Sequence, residues 1–361
     1  MNPNFLRLMN EATRLTRGGD LQAASAAIQA ALTGGLAAAA APRNMRDAID
    51  VIDVEAREVP SAPPAFGDMP PPAPAGSVPA AGRFIAGSHG DSSGRRDFKL
   101  YIPPGAGERP LPLVVMLHGC TQNPDDFAAG TAMNDAALAQ GFFVLYPAQS
   151  QKGNPQRCWN WFKHNHQARG RGEPALLAGM TRAAMASHAI DPDRVYVAGL
   201  SAGGAMAAIL GDAYPDIYAA VGVHSGLAAG IASDLPSALG AMKAGGAKAR
   251  AAASGVATIV FHGDADATVH PANAEQVIAA SVGAGAAVEV EHLKAAGGRA
   301  YTRRVHRAAD SQVLAEQWLV HGAPHAWSGG SARGSYTDAA GPDASAEMIR
   351  FFLAHPRRKT H

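Results

Sequence analysis

Short, almost wholly apolar runs recur along this chain from about residue 82 onward, and stretches with helical spacing separate several of them. The runs are LPLVVMLHG, GFFVLYP, RVYVAG, YAAVGVHSG, ATIVFHG and AEQWLVHG. Such runs are typical of strands buried on both faces of a parallel sheet. Two further candidate strands, GRFIAGS and RDFKLYIP, indicate an opening hairpin. The sequence therefore predicts an α/β fold with a mostly parallel eight-stranded sheet and helices on both of its faces.

The region before residue 82 has a different composition. Apolar residues recur at helical spacing over residues 5–33, which predicts two short helices, and the stretch from Pro60 to Pro79 predicts an extended proline-rich spacer. We therefore expect an N-terminal helical segment at 1–58, a linker at 59–81, an α/β domain at 82–355 and a basic tail at 356–361. The two helices bury too little apolar surface to be stable alone, so we expect them to dock on the α/β domain, to self-associate, or to bind a partner or a particle surface.

Charge and composition exclude several classes of protein. The 31 basic and 30 acidic side chains nearly cancel, so a nucleic-acid-binding surface is not expected. No apolar run reaches the roughly 20 residues that a membrane-spanning helix needs. The first residues lack the apolar core of a secretory signal, which favours a cytoplasmic location. Cys120 and Cys158 are too few for a disulfide scaffold, but one bridge between them is expected if the protein meets an oxidising compartment.

The stretch DRVYVAGLSAGGAMAAIL, Asp193 to Leu210, places a serine between a strand-like run and a helix-like run. A sharp turn of this kind holds the Ser201 hydroxyl above the edge of the sheet, where a base can activate it as a nucleophile. Gly199 and Gly203 fit the same interpretation, because side chains there would collide with the neighbouring elements. The alternative is a serine that only caps the following helix.

An acid and a base are expected after the serine, in the order Ser, Asp, His. DADATVH follows one strand and supplies Asp264 and Asp266, and APHAWSGG follows the last strand and supplies His325. We favour Asp266 as the orienting acid, because Asp264 is better placed to cap the turn. His325 has the reach of a base on a loop flanked by proline and glycine. Three other histidines at strand ends are expected to be ordinary packed or surface residues: His224, His262 and His321.

Two backbone N–H groups are candidates for stabilising the oxyanion that forms on attack. One belongs to Ala202, directly after the serine. The other belongs to Cys120, in the HGCTQN loop where Gly119 lets the backbone approach closely. The alternative for this loop is a simple tight turn.

An aromatic cluster, CWNWF, lies on a long polar loop of a chain that is otherwise poor in aromatic residues. The Trp159 and Trp161 faces would suit an aliphatic ester chain beside a cleft. Equally, both indoles could form a small hydrophobic cluster that fixes the loop. The sequence leaves both interpretations open.

LHGCTQNPDDFA, CWNWF, GLSAGGAMAA, FHGDADATVHP and HAWSGG together resemble the esterase family of polyhydroxybutyrate (PHB) depolymerases, over roughly Gly82 to Leu353. The resemblance implies an α/β-hydrolase fold that hydrolyses esters without a metal or an organic cofactor. It implies an extracellular location as the alternative to a cytoplasmic one, since the family is commonly secreted. Its implied site residues are the nucleophile Ser201, the acid Asp266, the base His325, the oxyanion donors Cys120 and Ala202, and a CWNWF loop near the substrate.

Three alternatives to a PHB depolymerase-like esterase remain at this stage. A carbohydrate esterase of the acetylxylan or feruloyl type would use the same residues. A hydrolase-fold binding protein without activity would not need the Ser, Asp and His set. A thiol enzyme using Cys120 is disfavoured, because that cysteine does not lie at a strand-to-helix turn.

Overall fold

The computed structural model describes residues 81–246, 255–282 and 285–357. The predicted N-terminal helices, nearly all of the proline-rich linker and most of the basic tail lie outside these ranges. None of the helices within the described ranges is long and apolar enough to cross a membrane.

Ten strands form one mixed sheet, and two very short strands pair separately. The strands of the main sheet are β1 (Arg83–Asp91), β2 (Gly94–Ile102), β3 (Leu111–Leu117), β4 (Phe143–Pro147), β5 (Ile190–Leu200), β6 (Ala220–His224), β7 (Ala257–Gly263), β8 (Ala287–Lys294), β9 (Ala300–Arg307) and β10 (Val313–Val320). The small pair is β11 (Trp327–Ser328) with β12 (Thr337–Asp338). The order in the main sheet is β1-β2-β4-β3-β5-β6-β7-β10-β9-β8.

The six central strands are mutually parallel and lie in the order β4-β3-β5-β6-β7-β10. An antiparallel hairpin extends the sheet at each edge. The predicted α/β class, the parallel centre and the opening hairpin are confirmed. The predicted count of eight strands is wrong, because β8 and β9 were missed. All eight residues of β8 are exposed, and their sequence, AVEVEHLK, alternates charged with apolar residues. A search for continuous apolar runs cannot find an edge strand of this kind.

Seven α-helices of the described ranges cover the two faces of the sheet. They are α1 (Pro124–Thr131), α2 (Met133–Gln140), α3 (Gly172–Ser187), α4 (Ala202–Ala213), α5 (Leu235–Ala244), α6 (Ala272–Ser281) and α7 (Ala344–Leu353). Buried residues of α3, α4, α5 and α6 share one core with the sheet, and those of α1, α2 and α7 share the other. Strand β3 shows why both faces are apolar: Leu113, Val115 and Leu117 enter the first core, and Val114 and Met116 enter the second.

The turn between β5 and α4 packs against the end of β3 with no room for side chains. A Cβ on Gly199 would lie 2.6 Å from the Leu117 carbonyl oxygen. A Cβ on Gly203 would lie 2.7 Å from the His118 oxygen and would overlap that of Leu117. These glycines therefore set how closely α4 approaches the loop that follows β3.

We predict that Gly203→Ala lowers the free energy of unfolding by about 3 kcal/mol or more, because the added methyl group overlaps backbone rather than a movable side chain. The matched control is Gly240→Ala in α5, where a Cβ meets nothing within 4 Å. That variant should gain roughly 0.5–1 kcal/mol from helix propensity. Urea unfolding followed by circular dichroism measures both. Equal stability of the two variants would contradict the packing argument.

Candidate active site

Ser201 is the single residue between β5, which ends at Leu200, and α4, which begins at Ala202. Its backbone has φ 58° and ψ −119°, a conformation that costs a non-glycine residue of order 1–3 kcal/mol. The Ser201 N–H donates to the His224 carbonyl at 2.8 Å, and its own carbonyl accepts from the Ala205 N–H at 3.0 Å. The strained turn is thus held from both the adjacent strand β6 and the first turn of the helix.

Asp266 and His325 form a hydrogen-bonded pair in the loops that follow β7 and β10. His325 Nδ1 lies 2.6 Å from Asp266 Oδ2, although the residues are 59 positions apart. The other carboxylate oxygen accepts from the Thr268 and Val269 N–H groups at 2.8 Å each. The carboxylate is fully buried, whereas the His325 side chain keeps 12% exposure. The Asp266 carboxylate is therefore fixed inside the protein, and the His325 ring is reachable.

The environment of Asp266 keeps it ionised. Burial alone would raise its pKa, but hydrogen bonds from His262 and His325, and the charge that His325 can carry, outweigh that effect and hold the pKa well below its usual range. An ionised carboxylate accepts only, so His325 Nδ1 carries the hydrogen. That tautomer leaves His325 Nε2 unprotonated, as a general base requires.

The neighbouring Asp264 and His321 form a second pair that is arranged differently. His321 Nδ1 lies 2.8 Å from Asp264 Oδ2, but His321 Nε2 is already hydrogen bonded to Thr302 Oγ1 at 2.9 Å. The side chains are 39% and 37% exposed. With both ring nitrogens engaged, this histidine has no atom left to accept a proton from a serine. The geometry favours Asp266 with His325.

The loop after β3 holds its peptide groups in one orientation. His118 Nδ1 donates to the Gly119 carbonyl at 2.7 Å, and His118 Nε2 accepts from the Gln149 N–H at 3.1 Å. Burial, chiefly, lowers the pKa of His118 to about 4, so the ring is neutral at ordinary pH. Because a peptide unit is planar, fixing the Gly119 carbonyl also fixes the Cys120 N–H on the opposite side.

The two N–H groups predicted to bind an oxyanion are both available. No described residue accepts a hydrogen bond from the Cys120 N–H or from the Ala202 N–H. The Ala202 N–H lies at the N-terminus of α4, where the helix dipole also favours negative charge. The close approach of α4 to the His118 loop brings the two donors to the same edge of the sheet.

A disulfide joins Cys120 to Cys158, with the Cα atoms 4.2 Å apart. A hydrogen bond beside it, from the Thr121 N–H to the Gln156 carbonyl at 2.7 Å, makes a second link. Together they attach the aromatic loop to the loop that carries the first oxyanion donor.

Both tryptophans of the CWNWF segment are buried in the core. Trp159 is 0% exposed and donates its indole N–H to the His118 carbonyl at 3.0 Å. Trp161 is 5% exposed and packs edge-on against Phe162. The expectation that Trp159 offers a face to substrate is wrong here, since no surface of that ring is accessible. Its indole instead fixes the oxyanion loop.

His224, expected to be an ordinary residue, connects the serine to the loop of the base. Its carbonyl accepts the Ser201 N–H, and its Nε2 accepts the Ser328 N–H at 2.9 Å, three residues beyond His325. Burial, above all, lowers its pKa well below the usual value, so Nε2 stays an acceptor. No hydrogen bond joins the Ser201 hydroxyl to His325 among the described residues, as is common in unliganded enzymes. His224 is the link between the two loops.

Comparison with known proteins places these residues in a family. The sequence model described as "Esterase PHB depolymerase" matches residues 96–301, more than half of the chain. The chain belongs to this family. The match includes Ser201 and Asp266 and stops before His325, so the candidacy of His325 depends on its contact with Asp266.

Individual relatives of this family member are esterases. Poly(3-hydroxyalkanoate) depolymerase C of Paucimonas lemoignei is 31% identical over 251 residues, which are 65% of this chain and 59% of that protein. Feruloyl esterase B of Thermothelomyces thermophilus is 32% identical over 150 residues, 41% of this chain and 50% of that protein. The chain thus matches between half and three fifths of the length of these relatives. An acetyl xylan esterase structure from Aspergillus awamori, 18% identical, superposes with a TM-score of 0.58 over 75% of this chain and 99% of its own. This likeness confirms the α/β-hydrolase fold.

Backbone strain concentrates around the site of this PHB depolymerase family member. Seven described non-glycine residues have positive φ. Five of them lie on the loops just described: Thr121, Arg157, Ser201, Ser225 and Tyr336. Tyr336, which the sequence analysis did not single out, is 47% exposed, and its hydroxyl lies 3.2 Å from Thr121 Oγ1 beside the oxyanion loop. Strain of this kind persists only where the surroundings determine the backbone, and it clusters at functional sites.

We predict that the free energy of unfolding falls as the pH drops from about 6.5 towards 4.5. In that range the unfolded chain protonates His118 and His224, whereas the folded protein, with both pKa values lowered, does not. Each histidine contributes up to about 1.4 kcal/mol per pH unit. Urea unfolding at several pH values measures the slope, and His118→Asn should flatten it. Equal stability at pH 7 and pH 5 would disprove the effect.

We predict that removing the disulfide by the double change Cys120→Ser and Cys158→Ser lowers stability. The bridge spans a sequence separation of 38 residues. Closing a loop of that size is worth about 4 kcal/mol in the chain-entropy model. The measurement is urea unfolding of the double variant beside the oxidised and the reduced wild type. The reduced wild type should have the same urea unfolding midpoint as the variant. If both midpoints equal that of the oxidised wild type, the expectation is wrong.

Proposed function

We propose that this protein is a serine carboxylic-ester hydrolase that acts through an acyl-enzyme. The observation that carries the proposal is the strained Ser201 at a strand-to-helix turn, joined through His224 to the loop of an Asp266–His325 pair. Membership of an esterase family supports it.

In this mechanism Ser201 Oγ attacks the ester carbonyl while His325 Nε2 takes the hydroxyl proton. Asp266 holds the ring and stabilises the imidazolium that forms. The N–H groups of Cys120 and Ala202 donate to the oxyanion of the tetrahedral intermediate. The intermediate collapses as His325 returns the proton to the leaving alcohol. Water then attacks the acyl carbonyl while His325 Nε2 takes its proton. The bond from the acyl carbon to Ser201 Oγ breaks as His325 returns that proton to Oγ, which releases the acid and restores the serine.

For the substrate we propose a polyhydroxyalkanoate or its oligomers, by analogy with the depolymerase relative of Paucimonas lemoignei. The second candidate is a carbohydrate-linked ester, and the feruloyl esterase of Thermothelomyces thermophilus supports it. We also propose that the N-terminal segment 1–58 serves self-association or attachment to a particle, on the strength of its sequence.

We predict that Ser201→Ala lowers kcat for a p-nitrophenyl ester at least about 10³-fold while the protein stays folded, because only binding and the oxyanion donors would remain. A fluorophosphonate reagent should add one phosphonyl group to the wild type, at Ser201 and with loss of fluoride, and none to the variant. Mass spectrometry of the labelled peptide gives the position. A variant that keeps more than about a tenth of the wild-type turnover would exclude Ser201 as nucleophile.

Rates of acid release from a panel of substrates separate the two candidate substrates. We expect soluble 3-hydroxybutyrate oligomers to be cleaved with a higher kcat/KM than feruloyl esters or acetylated xylan. The reverse order would favour the carbohydrate esterase. Ser201→Ala run on each substrate controls for spontaneous hydrolysis.

A further inference from the structure

The loop between β4 and α3 carries a marked excess of positive charge. Between Gln149 and Gly172 the sequence contains five lysines and arginines and no aspartate or glutamate: Lys152, Arg157, Lys163, Arg169 and Arg171. Arg169 is neutralised by Asp216. The rest of the set has no ion-pair partner among the described residues.

Arg157 is the member of this set that lies beside the candidate active site. The residue before it, Gln156, accepts a hydrogen bond from the Thr121 N–H at 2.7 Å, and the residue after it, Cys158, is joined by the disulfide to Cys120. Arg157 is therefore held between two links to the loop that carries the first oxyanion donor. Its distance from that loop is fixed by covalent and hydrogen-bonded connections.

The positive charge of Arg157 acts on His118. It is one of the influences that lower the pKa of His118, after the dominant influence of burial. His118 in turn fixes the Gly119–Cys120 peptide. A cation at this position also favours an anion bound in the same region.

Arg157 is half-buried and has a backbone φ of 52°. A positive φ is costly for a residue with a side chain, and glycine would adopt it without strain. No described carboxylate pairs with the guanidinium, so its charge is available to a ligand. The strained backbone lies directly beside the loop of the candidate oxyanion donor, and strain of this kind clusters at functional sites.

We propose that Arg157 binds a carboxylate group carried by the ester substrate. The proposal rests on the hydrolase function proposed above and names its substrate class: esters of hydroxyacids whose free carboxyl end lies a few atoms from the scissile bond. Every linear hydroxyacid oligomer has such an end. Arginine suits this role because its planar fork can donate two parallel hydrogen bonds to a carboxylate.

The test follows cleavage of the ester between the two hydroxybutyrate units in two substrates: the dimer of 3-hydroxybutyrate with a free carboxylate, and its uncharged methyl ester. We expect the wild type to show the higher kcat/KM for the free acid, mainly through a lower KM. Arg157→Gly removes the charge and suits the positive φ, so the variant should fold. In it the acid-to-ester ratio of kcat/KM should fall about tenfold. Arg157→Lys should restore part of the ratio.

The matched control is Lys294→Gln, which removes an exposed charge from the far edge strand β8 and should leave the ratio unchanged. Added sodium chloride should lower the wild-type ratio, because salt screens a partly exposed charge pair. If Arg157→Gly lowers kcat/KM for both substrates equally, the guanidinium acts on the reaction in general, and carboxylate recognition is wrong. If the wild type cleaves neither dimer nor any p-nitrophenyl ester, the proposed function itself fails. Equal wild-type cleavage of both dimers would overturn the carboxylate site alone.

Discussion

The close packing of the β5–α4 turn against the end of β3 is the constraint on which the candidate site depends. Gly199 and Gly203 let the backbone of the turn touch the Leu117 and His118 carbonyls directly. This contact sets the position of Ser201 and of the first N–H groups of α4 relative to the Cys120 loop. A single methyl group would move Ser201 away from the Cys120 N–H, and no side-chain adjustment would compensate, since both surfaces are backbone.

Two buried, neutral histidines extend this constraint to the surrounding loops. His118 fixes a peptide plane, and His224 receives an N–H from the serine turn at its carbonyl and from the β11 strand at its ring. Both act as rigid acceptors because burial lowers their pKa values. Glu173 plays an analogous role for the aromatic loop. Its buried carboxylate accepts hydrogen bonds from the side-chain amides of Asn160 and Gln149. The site is held largely by polar groups inside the protein.

The sequence predicted the elements whose signal is local. Buried parallel strands are apolar throughout, so β3, β5 and β7 could be found, and the order of their loops indicated Ser201, Asp266 and His325. The family match confirmed the resemblance to PHB depolymerases, which the motifs around these loops had indicated. Strand β8 was missed because it is exposed along its whole length. The hydrogen bond between His224 and Ser328 could not be predicted, because the two residues are 104 positions apart in the sequence. Only the order of the strands in the sheet brings them together. Composition also could not separate a substrate-facing Trp159 from a buried one.

The positive-φ residues around the site have a consequence for how such a protein tolerates change. Thr121, Arg157, Ser225 and Tyr336 each hold a backbone conformation that glycine would adopt without strain. Selection for heat resistance alone would favour relieving that strain, but glycine at Thr121, Arg157 or Tyr336 would also remove a partly exposed side chain from the loops around the candidate site. At these few positions, substitutions that raise thermal stability would therefore lower activity. Engineering for durability would do better at the exposed edge hairpin, β8 with β9, than at the loops that carry the chemistry.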